Sequence, residues 1–171
     1  NCLSATRDRD YRTVIDLLDD YYLMFDVAPA GRLDRDTEGL VLLTNDGKLA
    51  HEIISPKKDV FKRYVAHVTD EKLNQLETGV EILDGNNDAF MTKPAKVKVL
   101  GPVDNLTAVE ICITEGKFHQ VKRMFASVGC KVVYLKRLAI GGLELDESLA
   151  LGEYRELTDK ELDCLKAEAT H

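Results

Sequence analysis

Apolar positions fall at helical spacing most clearly between residues 117 and 129, "KFHQVKRMFASVG". Val121, Met124, Phe125 and Val128 stand at i, i+3, i+4 and i+7, and Gly129 supplies a stop, so the stretch predicts an amphipathic helix with one buried stripe. "TDKELDCLKAEA" predicts another helix, opened by a T-x-x-E capping box from Thr158 to Glu161. Shorter helices are expected over "RTVIDLLDDYY", over "LAHEIISP" with Pro56 as its stop, and over the surface segment "DEKLNQLETG" ended by Gly79. Alternation predicts a strand at 62–69, "KRYVAHVT", and a long strand at 131–140, "KVVYLKRLAI". "PAKVKVL" (94–100) and "TAVEICI" (107–113) read as a hairpin across "GPVDN". "GLVLLT" (39–44) is apolar almost throughout and reads as a short strand buried on both faces, followed by a turn centred on Asp46-Gly47. The strands come partly as hairpins and partly with helices between them. That order favours an α+β fold, a mostly antiparallel mixed sheet flanked by helices, over a doubly wound parallel sheet.

The length of 171 residues suits one medium domain or two tightly packed subdomains, and no repeat, low-complexity tract or linker divides the chain. No stretch approaches the roughly 20 apolar residues of a membrane span, and no basic-then-apolar signal peptide opens the chain, so a cytoplasmic protein without a membrane partner is expected. The opening "NCLSATRDRD" has no initiator Met and runs directly into a plausible strand and turn, so further residues are expected before it. Cys2, Cys112, Cys130 and Cys164 lie too far apart for a zinc knuckle or a CxxC pair and are expected to pack as reduced, small apolar groups.

The net charge of −7 argues against a nucleic-acid partner, but its distribution does not. Lys117 to Arg137 holds six Lys or Arg and no acid, whereas Glu144 to Glu168 holds nine acids against three bases. Phosphate affinity follows the local field rather than the sum. An acidic body with one basic stripe can bind RNA selectively; the alternative is an ordinary solvated helix face.

Three constellations carry candidate chemistry. "GRLDRDTEG" (31–39) packs three acids and two arginines between glycines. It reads as a plain Asp/Gly turn, as a D-x-D-x-T phosphoryl-transfer loop, or as a site where Asp34 is a lone carboxylate kept ionised by Arg32, Arg35 and bases from elsewhere. The phosphoryl-transfer loop needs an apolar strand directly before it, and here Pro29 and Gly31 interrupt that position. "EGKFHQVKRM" (115–124) sets Lys122 and Arg123 on the polar side of the predicted helix, with His119 in its first turn, a cationic face suited to a carboxylate and to phosphates. In "FKRYVAHV" (61–68), Tyr64 follows two bases, as a core tyrosine or as a platform for a nucleobase.

Taken together these segments resemble the RsuA-type pseudouridine synthases. Gly31–Gly47 follows the family pattern G-R-L-D-x-x-T-x-G-L-[LV]-[LM]-[LM]-T-x-D-G almost position by position. "SP", the K-x-Y of Lys62 to Tyr64, "TKPA", "EGKFHQVKRMFASVG", "IGG" and "GEYREL" then come at family-like spacing, so the likeness spans nearly the whole chain. "HQVKRMF" is closer to the branch acting on small-subunit ribosomal RNA than to the large-subunit branches. The family's first motif, around K-P-x-G, and its S4-like RNA-binding domain are not within these residues, so 1–171 is expected to be the catalytic domain.

The resemblance implies an isomerase that converts a specific uridine of small-subunit (16S) ribosomal RNA to pseudouridine as a monomer, with no metal or cofactor. It implies Asp34 as the catalytic carboxylate, Tyr64 as the stacking residue and Lys122 as the partner of Asp34. Arg32, His119 and Arg123 complete the expected substrate-binding set. Three other functions stand against this one: a large-subunit ribosomal RNA synthase, a non-catalytic RNA-binding module of the same fold, and a metal-dependent phosphatase built on D-x-D-x-T.

Overall fold

A computed structural model describes residues 2–4, 8–69, 73–117 and 119–170. The first strands are very short: β1 (Ala28–Pro29), β2 (Glu38–Gly39) and β3 (Leu43–Thr44). Helix α2 (Gly47–Ile54) follows a one-turn helix α1 (Asp20–Leu23). Then come β4 (Lys62–Val68), the small hairpin β5 (Glu81–Leu83) and β6 (Ala89–Met91), and the long hairpin β7 (Lys96–Val103) and β8 (Leu106–Ile113). Helix α3 (Gln120–Ser127), β9 (Val132–Ile140), β10 (Leu143–Glu144) and α4 (Asp159–Thr170) complete the chain.

The main sheet runs β10-β9-β4-β8-β7, every pair antiparallel, and β2 joins the free edge of β9 in parallel. This is the α+β, mostly antiparallel mixed sheet that the order of elements predicts. One face of it is apolar because the strands alternate: Ala66 and Val68 of β4, Val109, Ile111 and Ile113 of β8 and Leu135 of β9 all point the same way. The predicted stripe of α3 covers that face, with Val121, Met124 and Phe125 buried in the same cluster. Truncating the fully buried Phe125 to Ala is worth about 3–5 kcal/mol of stability. A second core joins α2 and α4 through Leu49, Ile53, Ile140, Leu143 and Leu165, with Ala30 and Leu42 from either side of the 31–39 loop.

Several local expectations are corrected. The 39–44 run is not one strand: β2 pairs with β9, β3 pairs with β1, and Leu40–Leu42 crosses between the two sheets, only Leu42 being buried. Asp46-Gly47 is the start of α2 rather than a free turn, because the Asp46 carboxylate accepts the Leu49 N–H at 3.0 Å and so satisfies an orphan donor of the helix. "RTVIDLLDDYY" splits into a 3-10 turn (Val14–Leu17) and α1, since Leu18 and Asp19 are extended and the Asp19 N–H donates to the Tyr154 hydroxyl. The 107–113 hairpin turns at Asp104 and Asn105, because β7 continues through a bulge between Val99 and Gly101. Of "DEKLNQLETG", residues 70–72 lie outside the described set and the rest forms a 3-10 turn (Asn74–Thr78), held inward by buried Leu73 and Leu76. Cys112 lies on the polar face of β8, only half buried, and Cys164 is exposed, so Cys130 alone of the three packs as a core apolar group.

Candidate active site

The loop between β1 and β2 carries Asp34. Its backbone is tied at both ends: the Leu33 N–H donates to the Ser4 hydroxyl at 3.1 Å, and the Thr37 N–H donates to the Asp34 carbonyl at 2.9 Å. The Asp34 side chain is 21% exposed and faces the start of α3. His119 Nε2 lies 3.3 Å from one carboxylate oxygen and Lys122 Nζ 3.7 Å from the other. The predicted partnership of Asp34 with the helix bases therefore exists, across a sequence separation that no local pattern could bridge.

The shape of the loop before α3 follows from a buried carboxylate. Glu115 accepts the Lys93 N–H at 3.1 Å and the Gln120 side-chain amide at 2.8 Å, and Gln120 in turn accepts the Lys117 N–H at 3.0 Å. This closed network fixes the chain as it enters the helix and delivers His119 in a left-handed conformation, φ 50° and ψ 34°. A non-glycine residue held there is costly unless its surroundings enforce it. One turn of helix then separates His119 from Lys122.

Lys122 is shared. It also donates to Asp36, an exposed neighbour, and this hydrogen bond, partly opposed by desolvation, holds the Asp36 carboxyl below its ordinary range. The arginines of the loop act elsewhere. Arg35 stacks over the Tyr11 ring at 4.1 Å, and Arg32 is exposed, with no ion pair to Asp34 among the described residues. Arg123 turns away from Asp34: its guanidinium donates to the carbonyls of Leu83 and, at 2.8 Å, Asp84, tying α3 to the β5–β6 hairpin. Tyr64 is half buried on β4, packed against the main core, with Ile111 and Arg137 as its strand neighbours.

Two buried cations complete the surroundings. Lys62, two residues before Tyr64 and on the same face, donates to the Ile53 carbonyl at 3.1 Å, capping the last turn of α2. Burial, and after it the charge of Arg137, press its ammonium down to about 8. Arg137 donates through Nε to the Leu40 carbonyl at 2.8 Å. The sequence signal for Arg137 was available: a base at a strand position whose neighbours at i−2 and i+2, Leu135 and Ala139, are both core residues. Asp36 as a competitor for Lys122 had no such signal. Among the described residues no group of three or more His, Cys, Asp or Glu is placed to hold a metal ion, and no helix is long and apolar enough to cross a membrane.

Comparison with known proteins identifies the family and the fold. The family described as RNA pseudouridylate synthase matches residues 2–127. An RNA pseudouridine synthase of Bacillus subtilis, YtzG, is 52% identical over 167 residues, covering 95% of this chain and 68% of that protein. The ribosomal small subunit pseudouridine synthase A of Escherichia coli K12 is 44% identical over 162 residues, covering 92% of this chain and 67% of that one. The crystal structure of a pseudouridylate synthase superposes with a TM-score of 0.81 at 44% identity, covering 96% of this chain and 69% of its own. A chain from a Cbf5-Nop10-Gar1 complex shares the fold alone, at TM-score 0.55 and 16% identity. The family match and the 44–52% identity to pseudouridine synthases take the place of the phosphatase and binding-module readings: the chain belongs to the RNA pseudouridylate synthase family and is an isomerase of that class.

Proposed function

We propose that this chain isomerises a uridine in small-subunit ribosomal RNA, with Asp34 as the catalytic carboxylate. The observation that carries the reading is the Asp34 carboxylate itself, largely shielded, flanked by His119 and Lys122, on a loop that enters the sheet one strand away from the strand that bears Tyr64. Identity to an enzyme named for the small subunit supports the choice of RNA.

The reaction rearranges bonds without net oxidation. The N1–C1′ bond breaks, the uracil turns over, C5 bonds to C1′, the C5 proton leaves and N1 gains one. Such a reaction calls for a carboxylate at the sugar or the base edge, a surface that holds the detached uracil, and water kept out. The target must first leave its stack. Tyr64 offers the face for it. Lys122 places a positive charge, and His119 an imidazole nitrogen, beside the Asp34 carboxylate. Lys122 also borders, with Ala126, Gly129 and Lys131, a shallow depression suited to the RNA backbone. The test is a map of pseudouridines in ribosomal RNA from cells with and without this gene. Loss of one site in the small subunit is expected; an unchanged small subunit with a site lost elsewhere would overturn the choice of RNA.

A further inference from the structure

Arg137 stands between the two halves of the site. Its backbone pairs with Tyr64 of β4 on one side and with Gly39 of β2 on the other. Strands lie about 4.8 Å apart, so β9, at Arg137 and its neighbour Lys136, sets the spacing between the chain leaving the Asp34 loop and the Tyr64 strand. Arg137 also takes both polar groups of Leu40: the Leu40 N–H donates to the Arg137 carbonyl at 2.9 Å, and the Leu40 carbonyl accepts from Arg137 Nε at 2.8 Å. The approach is close enough to require glycine at position 39, where a Cβ would lie 2.1 Å from the Arg137 carbonyl oxygen and φ is +111°. β2 is only two residues long, so these contacts do most to anchor the chain as it leaves the loop.

The arrangement is expensive. Arg137 is 4% exposed, Nη2 is buried with no hydrogen-bond partner among the described residues, and Lys62, also buried, stands close enough for the two charges to repel. A leucine or methionine would fill such a core position without that cost. What only an arginine or a similar donor gives is the bond to the Leu40 carbonyl.

We propose that Arg137 is a positioning residue for the isomerisation: a clamp on Leu40 that holds the Asp34 loop in register with Tyr64. The inference rests on Asp34 as the catalytic carboxylate, and its test is chosen to separate the two. In Arg137→Met the single-turnover rate at saturating enzyme should fall about 100-fold, the loss expected for an ångström-scale misplacement. The Kd for small-subunit ribosomal RNA should stay within twofold. Amide hydrogen exchange should quicken at residues 38–40 and remain as in wild type in β8 and α3. Arg137→Lys, which keeps a buried cation and a donor, should recover part of the rate, and it carries the test if the methionine variant does not fold. Gly39→Ala should reproduce the rate loss from the other side of the contact. A rate within twofold of wild type in the folded variants, or unchanged exchange at 38–40, would each overturn the clamp. If the wild-type chain forms no pseudouridine, the proposed function fails, while exchange at 38–40 still decides whether Arg137 holds Leu40.

Discussion

Two pairs of bases surround the Asp34 loop and they are built in opposite ways. His119 and Lys122 lie at the surface, 41% and 26% exposed, and face carboxylates. Lys62 and Arg137 lie in the interior and face carbonyls. The first pair is placed by a helix terminus and a strained residue before it, the second by strand alternation. A base facing a carboxylate changes how readily that carboxylate takes a proton. A base facing a main-chain carbonyl fixes where the main chain runs. The surface pair therefore governs the charge of the site and the buried pair its shape.

The largest effect should come from the group both pairs serve. Asp34→Asn is nearly isosteric, and the fold should survive it. Release of tritium from uracil C5 in labelled small-subunit ribosomal RNA should drop by at least about 10³-fold. Release at the wild-type rate from a folded Asp34→Asn protein would remove the carboxylate from the account.

Lys122→Met should come next, with a rate loss of roughly 10- to 100-fold, and Lys122→Arg should keep part of the rate. The pair is partly exposed, so its loss should cost less than the roughly 3–5 kcal/mol of a fully buried pair. Asp36→Asn should change the rate by no more than a few-fold and leave Lys122 wholly to Asp34. Single-turnover rates across pH report all three.

The buried pair should show itself in stability. Lys62 is held down to about 8 in the folded protein and returns to the ordinary lysine value on unfolding. Between those values the unfolded chain binds more protons, so stability must rise with pH there. Denaturant unfolding from pH 7 to 10.5 should show wild type gaining on Lys62→Met, by on the order of 3 kcal/mol across the range. Parallel curves for the two proteins would mean that Lys62 does not titrate as a buried group.

The smallest effects belong to the basic stripe, which the fold breaks up. Lys131 is exposed beside the depression that Lys122 borders, whereas Lys136 points to the sheet face opposite α3 and Arg137 points into the core. Lys131→Ala should flatten the salt dependence of RNA binding by roughly one unit of log–log slope, and Lys136→Ala should leave it unchanged. Equal changes in both would place RNA across both faces of the sheet.

How much of this was legible obeys the same division. Alternation and helical spacing revealed β4, β8, β9 and the buried stripe of α3, because one face of each is mostly apolar, interrupted only by single bases such as Lys62 and Arg137. They failed at 39–44, where every residue but Thr44 and Gly39 is apolar and no period says which sheet each part joins; the crossing at Leu40 depends on Arg137, nearly a hundred residues away. The pairing of Asp34 with Lys122 came from the likeness of whole motifs, since nothing near Asp34 points to residue 122. The flanking arginines looked like its natural partners, yet the turn closed by the Thr37 N–H on the Asp34 carbonyl sends Arg35 to Tyr11. Residue spacing reports what lies along one element well, and what two elements share only through patterns that span both.

The division of labour between the two pairs can be measured in one experiment: single-turnover rates with saturating enzyme, and amide hydrogen exchange at residues 38–40, for wild type, Lys122→Met and Arg137→Met. Both variants should lose rate, Arg137→Met about 100-fold, and exchange at 38–40 should quicken in Arg137→Met alone. Quickened exchange in Lys122→Met, or unchanged exchange in Arg137→Met, would contradict the assignment of charge to the surface pair and geometry to the buried one.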